Sequence, residues 1–168
     1  MAHTAYAARM SEKTPHETVR SIMESTRIAS LTYLDDAGRL VATPMGTQKF
    51  EDPGTTYWIT ERDSDKVAHL RTDPRVNVFY AGGDGYVSLT GTARLVEDEA
   101  RLEELWGFFT GAFMEGGPQD PNSALLEVTA DTAQWWDTPG SVATVVALVK
   151  AKVTGEETDL GDSGITAL

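Results

Sequence analysis

Apolar positions along this chain recur every three to four residues in some segments and every second residue in others. Val19, Ile22 and Met23 share one face of a helix. Thr14-Pro15-His16-Glu17 reads as its start, with Thr14 to cap, Pro15 in the first turn and Glu17 three residues on to complete a capping box. The helix is predicted to end near Arg27. From Ile28 the period shortens. IASLTYL is β-branched and aromatic, Asp35-Asp36-Ala37-Gly38 reads as a turn, and RLVATPMG as a second strand. Glu51-Asp52-Pro53-Gly54 turns into TTYWIT, a third strand. Asp63 is placed to cap a short helix, SDKVAHLRTD, which carries Val67, Leu70 and Arg71 at helical spacing and stops at Pro74.

VNVFYA is a fourth strand, GGDG a turn and YVSLTGTARLVE a long fifth strand, in which Gly91 predicts a bulge or sharp bend. DEARLEELWGFF reads as one helix with Leu102, Leu105, Trp106 and Phe109 inward, and GGPQDPNS as a loop. LLEVTADTAQWWD is a sixth strand, bent where Thr129, Ala130 and Asp131 interrupt it. Val142, Val145, Val146, Val149 and Val153 predict a last helix. Ala143, Ala147, Leu148 and Ala151 make its other faces apolar too, so it is expected to pack against another subunit. Short strands with tight turns and no helical crossovers among the first three point to an α+β fold, an antiparallel sheet curling into a barrel. Residues 1–13 read as a polar arm, 14–154 as the domain, and 155–168 as an acidic tail ordered only if it docks.

The 168 residues make about one domain. With 14 Lys+Arg against 26 Asp+Glu the net charge is -12, and no basic stripe interrupts it, so nucleic acid is not an expected partner. The absence of Cys removes disulfides, thiolate metal sites and Cys nucleophiles. The longest apolar run, SVATVVALV, is far short of the roughly 20 residues that span a bilayer, and the N-terminus has no secretory core. The expectation is a soluble cytoplasmic protein without a membrane partner.

Candidate chemistry is sparse. His3, His16 and His69 do not converge and read as solvent-exposed bystanders, which leaves no metal site. No G-x-S-x-G, G-x-G-x-x-G or P-loop is present. In WITERDSDKVAHLRTDPRV a strand ends at Thr60 and a helix begins near Ser64. Thr60, Arg62, Ser64 and Lys66 there offer hydroxyls, cations and a helix N-terminus, the chemistry of an anion site, although a capped surface helix is the bland alternative. In ATPMGTQKF, Pro44 marks an edge or a position beside a ligand. Met45 offers a polarizable face to a flat ring, and Lys49 a cation for a ring oxygen or nitrogen, against core Met and exposed Lys. Trp58, Trp106, Phe113, Trp135 and Trp136 read as core fillers by default.

From about Glu17 onward the chain resembles the pyridoxamine 5'-phosphate oxidase-like flavoproteins, in their general stress protein branch. The resemblance rests on IASLTYLDDAGRLVATPMGTQKF, WITERDSDKVAHLRTDPRVNV, YVSLTGTARLVED, RLEELW, DPNSALLEVTADTAQWWD and VKAKVTGE in this order. It implies a six-stranded antiparallel split β-barrel with flanking helices, forming a homodimer that binds FMN in a cleft at the subunit interface. On that likeness Thr43, Pro44, Met45 and the backbone through Gln48 lie along the isoalloxazine, with Lys49 ending the strand. Thr60, Ser64 and Lys66 hold the phosphate. Where the family often carries Arg between that Ser and Lys, this chain has Asp65. Trp106 and Phe113, on the helix and loop that could close over the flavin edge, are the remaining pocket candidates.

True pyridoxamine phosphate oxidases grip substrate phosphate with a late Arg- and His-bearing segment. Here the last Arg is Arg101 and the last His is His69, so vitamin B6 oxidation is not the expected activity. The implied function is a small-molecule oxidoreductase or flavin reductase, linked to stress responses. The alternatives are a non-catalytic flavin carrier or redox sensor, a deazaflavin binder, which the scarcity of basic residues disfavours, and a relative that has lost its cofactor. No side chain need serve as acid or base, since a flavin carries its own redox chemistry.

Overall fold

The computed structural model describes residues 13–138 and 162–168. The helix expected at 142–153 lies outside the described residues. Helix α1, Pro15–Ser25, starts at the capping box read from the sequence: the Glu17 N–H donates to Thr14 Oγ1 at 3.3 Å and the Thr14 N–H to Glu17 Oε2 at 2.7 Å. It buries Thr18, Val19, Ile22 and Met23 against the sheet. Each of the three apolar side chains contributes about 1.5–3 kcal/mol by leaving water.

Strands β1, Ile28–Leu34, and β2, Leu40–Gly46, form the expected hairpin. Its turn is set by Gly38 at φ +71° and by Asp35, whose carboxylate accepts from the Ala37 and Arg39 N–H groups. Strand β3, Thr55–Glu61, leads into α2, Asp65–Thr72; β4, Arg75–Gly82, and β5, Gly85–Val96, follow. The segment DEARLEELWGFF, which the sequence pattern predicts as one helix, divides into α3, Glu99–Leu105, and α4, Phe108–Phe113, which runs on beyond it. Gly107 is the N-cap of α4 and Trp106 the C-cap of α3, consistent with the low helix propensity of glycine. Strand β6 runs from Ser123 to Asp137. Within the tail, Ser163–Ala167 form a seventh strand, β7, antiparallel to β6 and not anticipated from the sequence.

The sheet order is β2-β1-β4-β5-β6-β3, with β7 also on β6, and the sheet does not close on itself. Strand β3 does not continue the first hairpin; it pairs with β6 at the far edge, from Thr55 opposite Thr129 to Glu61 opposite Ser123. Strand β7 takes up the same edge of β6 further along, from Thr132 opposite Ala167 to Trp136 opposite Ser163. The Gly54 carbonyl accepts from Ala130 N–H and the Asp131 carbonyl from Leu168 N–H, so β3 and β7 lie end to end. The register of β5 on β6 slips between Thr90 and Gly91, skipping Asp131, where both strands were read as irregular. A Cβ on Gly91 would lie 2.0 Å from the Thr129 carbonyl oxygen.

Alternation along the strands puts Leu31, Met45, Trp58, Val78, Tyr80, Val87, Leu89, Leu126 and Trp135 into one core with α1. A smaller cluster, Ile59, Leu102, Leu105 and Leu125, packs α3 on the opposite face of β3. Of the five aromatics expected to fill core, Trp58 and Trp135 do, and Trp106 and Trp136 are half-buried. Phe113 is 84% exposed, because α4 carries it away from the sheet.

Candidate functional site

Edge strand β2 and helix α2, which follows the other edge strand β3, meet at Met45 and Lys66. Pro44 sits on an edge strand, where a missing N–H costs no inner ladder bond. Its exposed ring is followed by the buried Met45 side chain. Thr43 and Gln48 are half-buried and Lys49 is exposed. The chain beyond β2 is held back on the start of β1, with Thr47 Oγ1 donating to the Thr26 carbonyl at 2.6 Å and Thr47 N–H to the Arg27 carbonyl at 3.0 Å.

On β3, Thr56, Trp58 and Thr60 share the inward face, and Trp58 Nε1 donates to Thr56 Oγ1 at 3.1 Å. Thr60 is buried at the end of that row and makes no side-chain hydrogen bond among the described residues. The corner that follows is fixed from a distance. Arg62 N–H donates to the Asn122 carbonyl at 2.7 Å and Asp63 N–H to Asn122 Oδ1 at 3.0 Å. The N-cap of α2 is Ser64 rather than Asp63, and its hydroxyl turns back to the Glu61 carbonyl at 2.8 Å instead of capping. The first turn of α2 therefore has no side-chain cap.

Lys66 lies in that first turn. Its half-buried ammonium stands 3.3 Å from Met45 Sδ and forms no ion pair among the described residues. Desolvation pushes its pKa down, partly offset by the charge of Glu61. Arg62, expected as a second cation here, points elsewhere. It makes a bidentate pair with Glu97 at 2.6 and 3.0 Å and donates to the Pro121 carbonyl at 3.2 Å. That pair raises the Arg62 pKa and holds the Glu97 carboxyl below its usual range. His69 is not a bystander either. Half-buried on α2, it stacks on Tyr33 with centroids 5.9 Å apart, and its Nδ1 lies 2.9 Å from Asp36 Oδ1, so α2 is tied to the first hairpin.

The structure thus brings Met45 and Lys66 into contact, with Pro44 beside the first, Ser64 at the cap and Thr60 on the strand that leads there. Trp106 belongs to the cluster on the opposite face of β3, and Phe113 projects into solvent, so within one chain neither joins that contact. A cleft lined by Arg62, Glu97, Glu103, Asp120, Leu102 and Leu125 opens near α3, but its carboxylates oppose a bound phosphate. Asn122 and Glu97 are the anchors that sequence reasoning missed; they lie 59 and 35 residues from their partners, and no local pattern marks them. Among the described residues no group of His and carboxylates is arranged to hold a metal, and no helix is long and apolar enough to cross a membrane.

The sequence pattern described as pyridoxamine 5'-phosphate oxidase like matches residues 14–159. No curated protein matches. Among solved structures, a protein provisionally assigned as general stress protein 26 from Jannaschia sp. CCS1 superposes with a TM-score of 0.75 at 26% identity, over 90% of this chain and 96% of that one. The general stress FMN/FAD binding protein of Xanthomonas citri gives a TM-score of 0.61 at 30% identity, over 74% of this chain and 90% of that one. A heme binding protein from Mycobacterium smegmatis, 14% identical with a TM-score of 0.67 over 93% of this chain and 59% of that one, shares the fold. An open antiparallel sheet of this topology, with the family pattern matched over residues 14–159, makes this chain a member of the pyridoxamine 5'-phosphate oxidase-like family, in its general stress protein branch.

Proposed function

We propose that this protein binds FMN at the seam between β2 and α2 and uses it in small-molecule oxidoreduction or flavin reduction. The observation that carries the reading is Lys66, a half-buried cation without an anionic partner among the described residues, in an uncapped first helical turn of an acidic chain. A phosphate supplies the missing charge. Thr60 and Ser64 add hydroxyls, while Thr43, Pro44, Met45 and the backbone to Gln48 offer the ring a surface, with Lys49 near its polar edge. The donor set fits a terminal phosphate, and the FMN/FAD binding named for the Xanthomonas citri relative supports a flavin. The bound flavin would accept and release a hydride or electrons; the residues here bind it, orient it and exclude water.

The protein is further proposed to act as a homodimer with the cleft at the interface, Trp106 and Phe113 then closing over the flavin edge from α3 and α4. Support comes from the outer face of the sheet. There Phe79 and Tyr86 stack with centroids 6.0 Å apart, Ile28 is 63% exposed, and Ile165 is 71% exposed. Registers through Ser30, Phe79, Ser88, Gln134 and Ile165 put these side chains on one surface. Cytoplasmic location is part of the same proposal.

The test is an absorbance titration of the purified protein with FMN, beside its sedimentation. The expected result is a shifted flavin band saturating at one FMN per chain on a dimer. Bleaching of the band by NAD(P)H distinguishes a reductase from a carrier or sensor. A protein that leaves the FMN spectrum unchanged overturns the reading.

A further inference from the structure

The described lysines differ sharply in their surroundings. Lys13 is exposed and donates to Ser21 Oγ at 2.9 Å, and Lys49 is exposed. Lys66 is half-buried, with its Nζ against the Met45 thioether at 3.3 Å and no carboxylate paired to it among the described residues. A thioether is a weak acceptor, so this ammonium has given up water for a weak contact, and the Glu61 carboxylate acts on it without forming an ion pair. The lowered pKa of Lys66 agrees with that geometry. A lysine desolvated in this way holds more of its neutral form at a given pH, and the neutral amine is a nucleophile.

We propose that Lys66 is an acylation site for acyl phosphates, whose phosphate engages the donors at the start of α2 while the Lys66 amine attacks the acyl carbon. The docking of the phosphate rests on the anion-site reading above; the reactivity of the amine does not. In the step, the Nζ lone pair forms an N–C bond to the carbonyl carbon and the C–O bond to the phosphate breaks. Its electron pair leaves with inorganic phosphate, and the surplus amine proton passes to water. No oxidant or reductant is needed. The product is a neutral amide, so acylation removes the cation that would hold the phosphate of a flavin. Acylation and flavin binding therefore exclude each other.

The experiment uses the full chain without substitutions. It is incubated with acetyl phosphate, and in parallel with the phosphate-free N-hydroxysuccinimide ester of acetic acid. Acetylation at Lys66, Lys49 and Lys13 is then followed by peptide mass spectrometry across pH. With acetyl phosphate, Lys66 is expected to react about tenfold or more faster than Lys49, because a phosphate held at the start of α2 keeps the acyl carbon beside the Lys66 amine. Its rate should also level off at lower pH. Inorganic phosphate should slow the acetyl phosphate reaction at Lys66 and leave the ester reaction untouched. Lys66 reacting no faster than Lys49 with either reagent overturns the proposal. Equal preference with both reagents and no effect of phosphate overturns the docking, and the anion site with it. Phosphate-competed acetylation of Lys66 in a protein that ignores FMN upholds the proposal and fails the flavin reading alone.

Discussion

Arg62 and Glu97 face each other through two parallel hydrogen bonds, Nη1 to Oε1 at 2.6 Å and Nη2 to Oε2 at 3.0 Å. The pair binds the end of β3 to the end of β5 and draws a guanidinium away from the first turn of α2. Glu97→Gln is expected to free it. Affinity for FMN should then rise about two- to fivefold, the scale of one added charge near a helix N-terminus, and the gain should shrink in high salt. An unchanged titration curve would show that Arg62 cannot reach the phosphate.

Lys66 is the cation that remains. Lys66→Ala is expected to weaken FMN at least tenfold, roughly 1.4 kcal/mol, measured by flavin absorbance or calorimetry at fixed ionic strength. Affinity equal to that of the unsubstituted protein would place the phosphate elsewhere.

Gly91 is required by contact rather than by dihedral angle. Its missing Cβ would lie 2.0 Å from the Thr129 carbonyl and 2.7 Å from Ala130 Cα, both backbone atoms of the bulged β6. Gly91→Ala should cost about 1–3 kcal/mol or more, as overpacking does. Gly83→Ala, where nothing lies within 4 Å, is the comparison and should be near neutral. Denaturant midpoints of the two variants check this, and equal midpoints would refute the close approach.

Asp73 carries the clearest acid dependence. Side-chain and backbone hydrogen bonds from Arg75, at the start of β4, bring its pKa from 3.8 down to about 2. A carboxyl with a depressed folded-state pKa adds stability above its unfolded pKa and loses it as pH falls through the folded value. Asp73→Asn should therefore lower the melting temperature at pH 5. The gap to the unsubstituted protein should close between about pH 4 and pH 2. A gap that is constant across that window would mean the pair contributes nothing by charge.

What was legible in the sequence was what neighbours in sequence decide. The capping box at Thr14 and Glu17, the turn at Asp35–Gly38 and the edge position of Pro44 each depend on a few adjacent residues. So does the bulge at Gly91, because glycine inside a long strand marks a close backbone approach. The pairing of β3 with β6 was not legible, since alternation fixes which face a strand buries and not which strand it meets. The fate of Arg62 was hidden for the same reason, because its carboxylate stands 35 residues away. Strand β7 escaped because Ser163–Ala167 buries no side chain. It is held by its backbone ladder and by Gly164, which lets the chain pass under the Trp135 indole, where a Cβ would stand 3.1 Å from the ring. At the site, Met45 and Lys66 could be named from the family likeness. Their mutual contact depends on how α2 packs against the first hairpin, which no local pattern marks.

The partner of β3 arrives late. Glu61 pairs with Ser123 and Thr55 with Thr129, so the residues that complete this edge follow it by 62 to 74 positions. As the chain leaves the ribosome, the first hairpin can zip at once, whereas Thr55–Glu61 waits with both sides of its backbone bare until Ser123–Asp137 has been made. During most of its synthesis this edge of the sheet is therefore an unpaired strand, open to mispairing until the last strands have been made.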